Sequence, residues 1–293
     1  MAMAGGPTGV SPAPMTLCAG SVPIWPLTEV IPAAARSGFT GLTMWERTFR
    51  RATTREGLSI SSIRRALEAN SIAVTAIEGA ADWADSASRT TREFSQSATS
   101  FLLDLAYDIG APVVTAITPP TWAGNDPPQV GAAELRAALT ALCGRASARG
   151  LAIELEFTPF TPATKTLRDA AELVAALNIS NLHVLLDTWH HGRAGRCGES
   201  DTEAARLISS VQLADGPAVG EADLLEETRW RRLPPGRGGL EISRMVRDLV
   251  AAGAAPTWSV EVYNPSVLGA SVGEVTSELY QASSAVLQSV LTV

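Results

Sequence analysis

The chain contains 293 residues, of which 46% are hydrophobic and 18% are charged. That balance excludes an intrinsically disordered chain, which combines low hydrophobicity with high charge, and a collagen-like or heptad-repeat protein. The formal net charge of −7 argues against nucleic-acid binding, which requires a basic surface.

Targeting and cysteine patterns point to the same class of protein. No apolar run reaches the roughly 20 residues that span a bilayer, and the first fourteen residues lack the charged start and apolar centre of a signal peptide. Cys18, Cys143 and Cys197 are too few and too far apart for a disulfide framework or a zinc ligand set. We therefore expect a soluble cytoplasmic protein with neither a membrane nor a nucleic-acid partner.

Short β-like runs alternate with helical segments from residue 15 onward. Residues 1–14 are rich in Gly, Pro and Ala and predict a flexible N-terminal arm. The predicted strands are 15–19, 39–44, 72–77, 112–117, 151–157, 182–187, 209–214 and 257–263. The predicted helices are about 27–37, 60–70, 90–109, 131–149, 166–177, 200–208, 240–252 and 268–290.

Capping residues support these helix boundaries. Thr166 with Asp169, and Ser200 with Glu203, have the spacing of a helix N-terminal capping box. Glycines follow four predicted helices, where a left-handed C-cap favours this residue. These glycines are Gly38, Gly110, Gly150 and Gly253.

The repeated strand–helix unit predicts the fold class. Eight such units with right-handed crossovers close into a single (β/α)8 TIM barrel, here over residues 15–293. The alternative is an open doubly wound sheet, which would favour a G-x-G-x-x-G loop after the first strand. The sequence CAGSVPIWP at that position lacks the motif, so the barrel is favoured.

Four polar residues end consecutive strands in the second half of the chain. Glu156, Asp187, Gln212 and Glu261 lie at or near the ends of predicted strands five to eight, which is the end where barrel enzymes place their active sites. Any one acid could instead cap a helix or form an ion pair, but four such residues in phase favour a shared cation. Their hard oxygen donors predict Mg²⁺ or Mn²⁺, with Co²⁺ or Zn²⁺ as alternatives.

Glu154 could point into the barrel as well, because residues two apart on a strand share a face. It would lie one layer deeper than Glu156. We expect Glu156 to be the ligand and Glu154 to be paired with a buried cation or to lie on a distorted strand.

Five segments resemble the xylose isomerase-like TIM barrels. They are LAIELEFTPFTPA (151–163), LHVLLDTWHHGRAGR (182–196), VQLADG (211–216), RRLPPGRG (231–238) and SVEVYN (259–264). That superfamily contains sugar isomerases, epimerases, inosose and 3-dehydroshikimate dehydratases, and endonuclease IV-type DNA repair enzymes. The D-x-x-H and S-V-E-V motifs are fairly specific for the superfamily and weak for substrate.

The resemblance implies roles for individual residues. It gives Glu156, Asp187, Gln212 and Glu261 as metal ligands, His190 as the substrate-binding histidine, and Arg232, with Arg231 as the alternative, as the substrate-binding arginine. Many isomerases have histidine where Gln212 stands, whereas glutamine looks more like some dehydratases. Arg237 replaces the acid of the common P-G-E-G loop, which changes the charge of that loop.

Tryptophans lie at or after several predicted strand ends, and they either wall a pocket or cap the barrel core. They are Trp25, Trp45, Trp83, Trp122 and Trp189. For a pocket, Trp45 and Trp122 are the substrate-binding candidates, because flat rings suit a compact sugar-like ligand.

The main functional hypothesis is a metal-dependent isomerase or epimerase acting on a sugar or related polyhydroxy ketone. The cation would polarise the carbonyl and stabilise an enediolate, and Glu156, Glu261 and His190 would be the catalytic proton-transfer groups. The alternative is a dehydratase of a cyclic hydroxyketone of the inosose or 3-dehydroshikimate type, and C–C cleavage of an aromatic C-glycoside is a lesser one.

Two other classes remain. A DNA repair endonuclease is disfavoured, because the chain has only three histidines and a net charge of −7. A non-catalytic ligand-binding barrel is still open, as is homo-oligomerisation through the barrel helices.

Overall fold

The computed structural model describes residues 13–81, 83, 89–118, 131–196, 198 and 200–291, without the side chains of 89–97. Trp122 and Cys197 therefore lie outside the described residues, as does nearly all of the predicted N-terminal arm. None of the described helices is both long and apolar enough to cross a bilayer.

Eight parallel strands close into one barrel in chain order, with β1 paired to β8. This confirms the predicted (β/α)8 fold and the existence of all eight strands. The strands are β1 Met15–Cys18, β2 Gly41–Trp45, β3 Ala73–Ala80, β4 Val113–Ile117, β5 Ala152–Glu156, β6 Leu182–Asp187, β7 Ile208–Leu213 and β8 Thr257–Val260.

The helices surround the barrel, and the eight predicted ones are all present. In chain order the helices are α1 Leu27–Ser37, α2 Glu46–Thr54, α3 Ile60–Ala69, α4 Arg89–Ile109, α5 Ala132–Ser147, α6 Leu167–Leu177, α7 Thr188–Arg193, α8 Thr202–Leu207, α9 Leu224–Trp230, α10 Ile242–Ala251 and α11 Val272–Leu291. The sequence pattern does not reveal α2, α7 and α9. Each has nine residues or fewer, too short for a 3.6-residue period to stand out. The helices α2 and α7 directly follow β2 and β6, and α9 lies between β7 and α10.

One predicted cap is confirmed and another is wrong. Thr166 Oγ1 accepts a hydrogen bond from the Asp169 amide, and the Asp169 carboxylate accepts one from the Thr166 amide, so this capping box forms. The N-cap of α8 is Asp201 and not Ser200, because the Asp201 carboxylate accepts from the amides of Glu203 and Ala204. An ionised carboxylate is the stronger acceptor at the positive end of a helix.

The glycines predicted to end helices do adopt left-handed backbone conformations. Gly38, for example, has φ 109° and its amide bonds back to the last turn of α1. Sharp helix ends of this kind return the chain to the next strand, and all eight strands run parallel around the barrel. The carboxyl ends of all eight strands consequently meet at one face, which is where the polar side chains gather.

Candidate active site

The four residues that end strands five to eight lie at this face, and all are buried. Glu156 and Asp187 are the last residues of β5 and β6, Gln212 is the penultimate residue of β7, and Glu261 follows β8 directly. None is more than 6% exposed. Burying an unpaired carboxylate in a hydrophobic barrel interior is costly. The hydrogen-bond and ion-pair partners of each residue therefore indicate its role in the site.

Asp187 is anchored by the helix that it starts. It is the N-cap of α7, and its Oδ1 accepts from the amides of Trp189 at 2.7 Å and His190 at 3.0 Å. Its Oδ2 accepts from Arg232 Nη1 at 2.6 Å. Although burial acts to raise the pKa of Asp187, the charge of Arg232 and these hydrogen bonds hold it below its usual value. Asp187 is therefore ionised and fixed in direction.

Arg232 is a buried cation at the centre of the site, with 1% exposure. Its Nη1 also donates to Glu261 Oε2 at 3.1 Å, and its Nη2 lies 3.2 Å from His190 Nε2. The guanidinium stacks between the rings of Trp189 and Tyr263. The structure thus joins Asp187 to Glu261 through one arginine, the residue that the family resemblance favours over Arg231. Arg231 is exposed and pairs with Glu221.

The loop that carries Arg232 is held by another buried acid, Asp215, which lies after β7. Its carboxylate accepts from four backbone amides, those of Gly216, Gly236, Gly238 and Leu240, at 2.8 to 3.1 Å. A Cβ at Gly238 would lie only 2.4 Å from Asp215 Oδ1, so this close approach requires glycine. Arg237 in the same loop is exposed and does not line the site. The loop's altered charge therefore lies away from the cavity.

Glu156 has a sparse set of partners by comparison. Among the described residues, its carboxylate meets one polar side chain, His190, with Nε2 at 3.5 Å. Burial and the charges of Glu261, Asp187 and Glu78 raise the pKa of Glu156 well above its usual value. Burial lowers the pKa of His190 to about 4 despite the opposing charge of Asp187, so this imidazole is neutral at pH 7.

Glu78 is a site residue that sequence reasoning missed, and Cys18 is another. Glu78 Oε1 accepts from Gln212 Nε2 at 2.7 Å, and Cys18 Sγ lies 3.2 Å from both Glu78 Oε2 and Glu261 Oε1. The signal was present, since Glu78 is a lone acid at the end of an apolar strand. The predicted strand stopped at Ile77, one residue short of it, whereas β3 continues to Ala80.

Among the described residues, acidic side chains outnumber basic ones at the site, and all four carboxyl groups can be ionised together only when a further cation is present. Four buried carboxylates, from Glu78, Glu156, Asp187 and Glu261, face one buried guanidinium from Arg232. Burial and the neighbouring Glu261 raise the pKa of Glu78 to about 8, and burial likewise raises the pKa of Glu261. These shifts show that the acids disfavour each other's ionisation.

The donor set fits a divalent metal ion. Gln212 Oε1 is buried and has no hydrogen-bond partner among the described residues, which is the state expected of an oxygen that awaits a cation. Two groups of side chains place potential ligand atoms within 4.8 Å of one another, namely Glu156 with Asp187 and His190, and Cys18 with Glu78 and Glu261. The predicted ligands are thus divided between two adjoining clusters, which Arg232 links through Asp187 and Glu261. The nearby imidazole and thiol also suit Zn²⁺.

A cavity of about 820 Å³ opens above these groups. Its base is formed by polar side chains, which are Glu78, Glu156, His190, Arg232 and Glu261. Its exposed lining combines the apolar Ile24, Trp230 and Leu268, which are 49%, 54% and 67% exposed, with the exposed arginines Arg47 and Arg229. The volume lies in the range of about 300–1,000 Å³ that is typical of small-molecule sites.

The predicted aromatic wall forms only in part. Trp45 lines the cavity together with Phe160 and Tyr263. Trp189 does not, since it is fully buried and its Nε1 donates to Glu227. Trp83 donates to the Ile117 carbonyl and belongs to the core. The wall is therefore built partly from phenylalanine and tyrosine, which the tryptophan pattern did not reveal.

Comparison with known proteins gives one family and several similar structures. Residues 31–289 match the family model described as xylose isomerase-like TIM barrel. The chain is 33% identical over 134 residues to a 3-dehydroshikimate dehydratase of Pseudomonas aeruginosa, an alignment that covers 43% of this chain and 20% of that protein. The chain therefore matches about a fifth of the length of this curated relative.

Two solved structures share the fold over 96% of this chain. A xylose isomerase-like TIM barrel/4-hydroxyphenylpyruvate dioxygenase fusion protein superposes with a TM-score of 0.83 at 21% identity, over 44% of its own length. The IolI protein, whose crystal structure has a bound zinc atom, superposes with a TM-score of 0.82 at 16% identity over its full length.

Proposed function

The chain belongs to the xylose isomerase-like TIM barrel family, and from that premise we propose that it uses a divalent cation to remove a proton next to the carbonyl group of a polyhydroxy ketone. Among the described residues, four buried acids lie at this end of the barrel with one buried arginine, Arg232, and the buried Gln212 Oε1 has no hydrogen-bond partner. This one observation carries the proposal, because such a charge imbalance at a cavity base suits a metal-assisted site and disfavours a simple apolar binding site.

We assign Glu156, Asp187, Gln212 and Glu261 as the residues that would hold the cation. When bound, the cation supplies Lewis-acid polarisation of the substrate carbonyl. Mg²⁺, Mn²⁺, Co²⁺ and Zn²⁺ all remain candidates. His190, neutral and fixed beside Arg232, orients a substrate hydroxyl.

Proton transfer falls to the two glutamates that line the cavity, Glu156 and Glu261. Glu156 has few hydrogen-bond partners of its own, which leaves its carboxylate available to a substrate proton. Tyr263 donates a hydrogen bond to Glu261 and also lines the cavity. Burial raises the pKa of Tyr263 well above its usual value, so this phenol stays protonated and can act as a hydrogen-bond donor to a departing or incoming oxygen.

Of the two reactions that begin in this way, we favour dehydration of a cyclic hydroxyketone. The match to a 3-dehydroshikimate dehydratase supports this choice, as does the amide of Gln212 in place of a histidine. The second candidate is isomerisation or epimerisation of a sugar-like ketone. It is favoured by the placement of Glu156 and Glu261 in the same cavity, because a two-base reaction needs an acid and a base that both reach the substrate.

Metal-loaded protein in D₂O tests the proposal and separates the two reactions. The protein is stripped of metal, loaded with Mn²⁺ and incubated with 3-dehydroshikimate, inososes and ketoses. Loss of water with a new ultraviolet-absorbing product identifies a dehydratase, whereas solvent deuterium at a carbon beside the carbonyl without loss of water identifies an isomerase or epimerase. The matched control is E156Q, and equal turnover by this variant, or neither product across the panel, would overturn the proposal.

A further inference from the structure

Glu78 and Gln212 form a buried pair across the barrel. They come from β3 and β7, which are 134 residues apart in the chain, and Gln212 Nε2 donates to Glu78 Oε1 at 2.7 Å. The two side chains are 4% and 2% exposed. Neither the strand periodicity nor the ligand pattern requires an acid at position 78, so the contact needs its own explanation.

The pair decides which end of the Gln212 amide is hydrogen-bonded and which end is left without a partner. A side-chain amide has a donor end and an acceptor end, and only the oxygen can bind a cation. Glu78 Oε1 accepts the hydrogen bond from Gln212 Nε2, which turns Gln212 Oε1 away from Glu78. Oε1 is the atom that is buried without a partner among the described residues.

We propose that Glu78 is a positioning residue that orients the Gln212 carboxamide so that its oxygen faces the divalent cation. The arrangement follows the logic by which a metal-bound histidine donates its second N–H to a carboxylate, with an amide in place of the imidazole. This inference rests on the proposed function, since it presupposes a cation beside Gln212. It adds a residue from outside strands five to eight to the site.

Contacts on the far side of Glu78 hold its carboxylate in place. Its Oε2 lies 3.2 Å from Cys18 Sγ, and Glu78 pairs in register with Trp45 on the neighbouring strand. Trp45 and Glu78 both line the cavity. The Glu78 carboxylate is therefore contacted from two other strands, by Cys18 of β1 on one oxygen and by Gln212 of β7 on the other.

The test is a double-mutant cycle read as Mn²⁺ affinity. Metal-free wild type, E78Q, Q212A and E78Q/Q212A are titrated with Mn²⁺, with free Mn²⁺ followed by electron paramagnetic resonance. We expect E78Q to weaken Mn²⁺ binding about 10- to 100-fold, the usual effect of losing an outer-shell partner. In the Q212A background the same substitution should change the affinity less than about twofold, because Glu78 would act through the amide.

Three outcomes separate the inference from its premise. If E78Q weakens Mn²⁺ binding equally with and without Gln212, Glu78 binds the ion directly and the positioning role is wrong. If E78Q binds Mn²⁺ as tightly as wild type while E156A does not, the positioning role is also wrong but the metal site stands. If wild type and E156A bind Mn²⁺ equally weakly, the proposed function fails.

Two further measurements guard against a purely structural effect. Circular dichroism of the metal-free variants checks that they fold, and E78D, which keeps the charge but retracts it by one methylene, replaces E78Q if that variant does not fold. The Co²⁺ absorption spectrum of the loaded protein reports the ligand set. We expect E78Q to alter that spectrum when Gln212 is present and to leave it unchanged in the Q212A background; an unaltered spectrum in both would contradict the inference.

Discussion

Glu154 and Glu156 lie two residues apart on β5 and are almost equally buried, at 5% and 6% exposure, yet their surroundings differ. Glu154 accepts hydrogen bonds from the hydroxyls of Ser209 at 2.7 Å and Ser210 at 2.8 Å, one on each oxygen. Glu156 meets His190 at 3.5 Å. Both carboxylate oxygens of Glu154 are therefore hydrogen-bonded by residues of the barrel, whereas those of Glu156 are not.

The difference shows what distinguishes a structural acid from a functional one in this barrel. Burial raises the pKa of both groups, but only around Glu156 do neighbouring carboxylates add to the effect of burial. Two donated hydrogen bonds offset part of the cost of burying Glu154. Glu156 receives no such pair of hydrogen bonds from the described residues, and the charge of Arg232 only partly offsets the effects of burial and of the neighbouring acids on its pKa. This is the condition expected of a group that binds an ion or a substrate.

The largest expected effect follows from removing the charge at Glu156. We expect E156Q to lower kcat/KM by about 10³-fold or more, because the variant loses a general base, commonly worth about 10²–10⁴, and a metal-ligand charge. Steady-state kinetics on the substrate identified in D₂O measures this. E154Q is the matched control, and if the two variants lost activity equally, the contrast between the two layers would be wrong.

The next effect concerns the buried guanidinium of Arg232. R232M leaves Asp187 and Glu261 without their buried partner, and breaking such a pair typically costs about 3–5 kcal/mol. We expect urea denaturation of the metal-free variant to show a loss of this order. Added Mn²⁺ should recover more stability in R232M than in wild type.

The control for Arg232 is its neighbour. R231M removes an exposed arginine whose ion pair with Glu221 is solvent-accessible, so its unfolding free energy should change by less than about 0.5 kcal/mol. Similar losses in the two variants would mean that Arg232 is not the electrostatic centre of the site.

A smaller effect is expected from the loop anchor. D215A leaves four backbone amides of the Arg232 loop without their acceptor, and we expect a loss of about 2 kcal/mol, since water can reach part of the loop. KM should rise as Arg232 loses its fixed position. The control, D201A, removes the N-cap of α8, which should cost about 1 kcal/mol and leave KM unchanged. Equal KM values in D215A and D201A would mean that Asp215 does not help to position Arg232.

The sequence predicts the frame of this site better than its internal contacts. Strand ends are readable because apolar runs stop at polar residues, and this pattern alone assigns Glu156, Asp187, Gln212 and Glu261 to one face. The pairing of Gln212 with a residue 134 positions away is a tertiary contact that no local pattern encodes. Trp189 shows the same limit. Its position at a strand end predicts a pocket wall, whereas its ring is buried and its Nε1 donates to Glu227, which forms an ion pair with Arg193.

The smallest effect is expected at Glu154, and its sign depends on pH. Because burial raises the pKa of Glu154 above the unfolded value of 4.5, the folded protein holds this proton more tightly. The resulting stabilisation is fully present below pH 4.5 and is lost as the pH rises through the folded-state pKa.

An amide in E154Q can accept from one serine and donate to the other, so the unfolding free energy should change by less than about 1 kcal/mol near neutral pH. Denaturation curves from about pH 4 to 8 should show wild type losing stability relative to E154Q as the pH rises. A stability difference between wild type and E154Q that stays constant over this range would mean that folding does not change the pKa of Glu154.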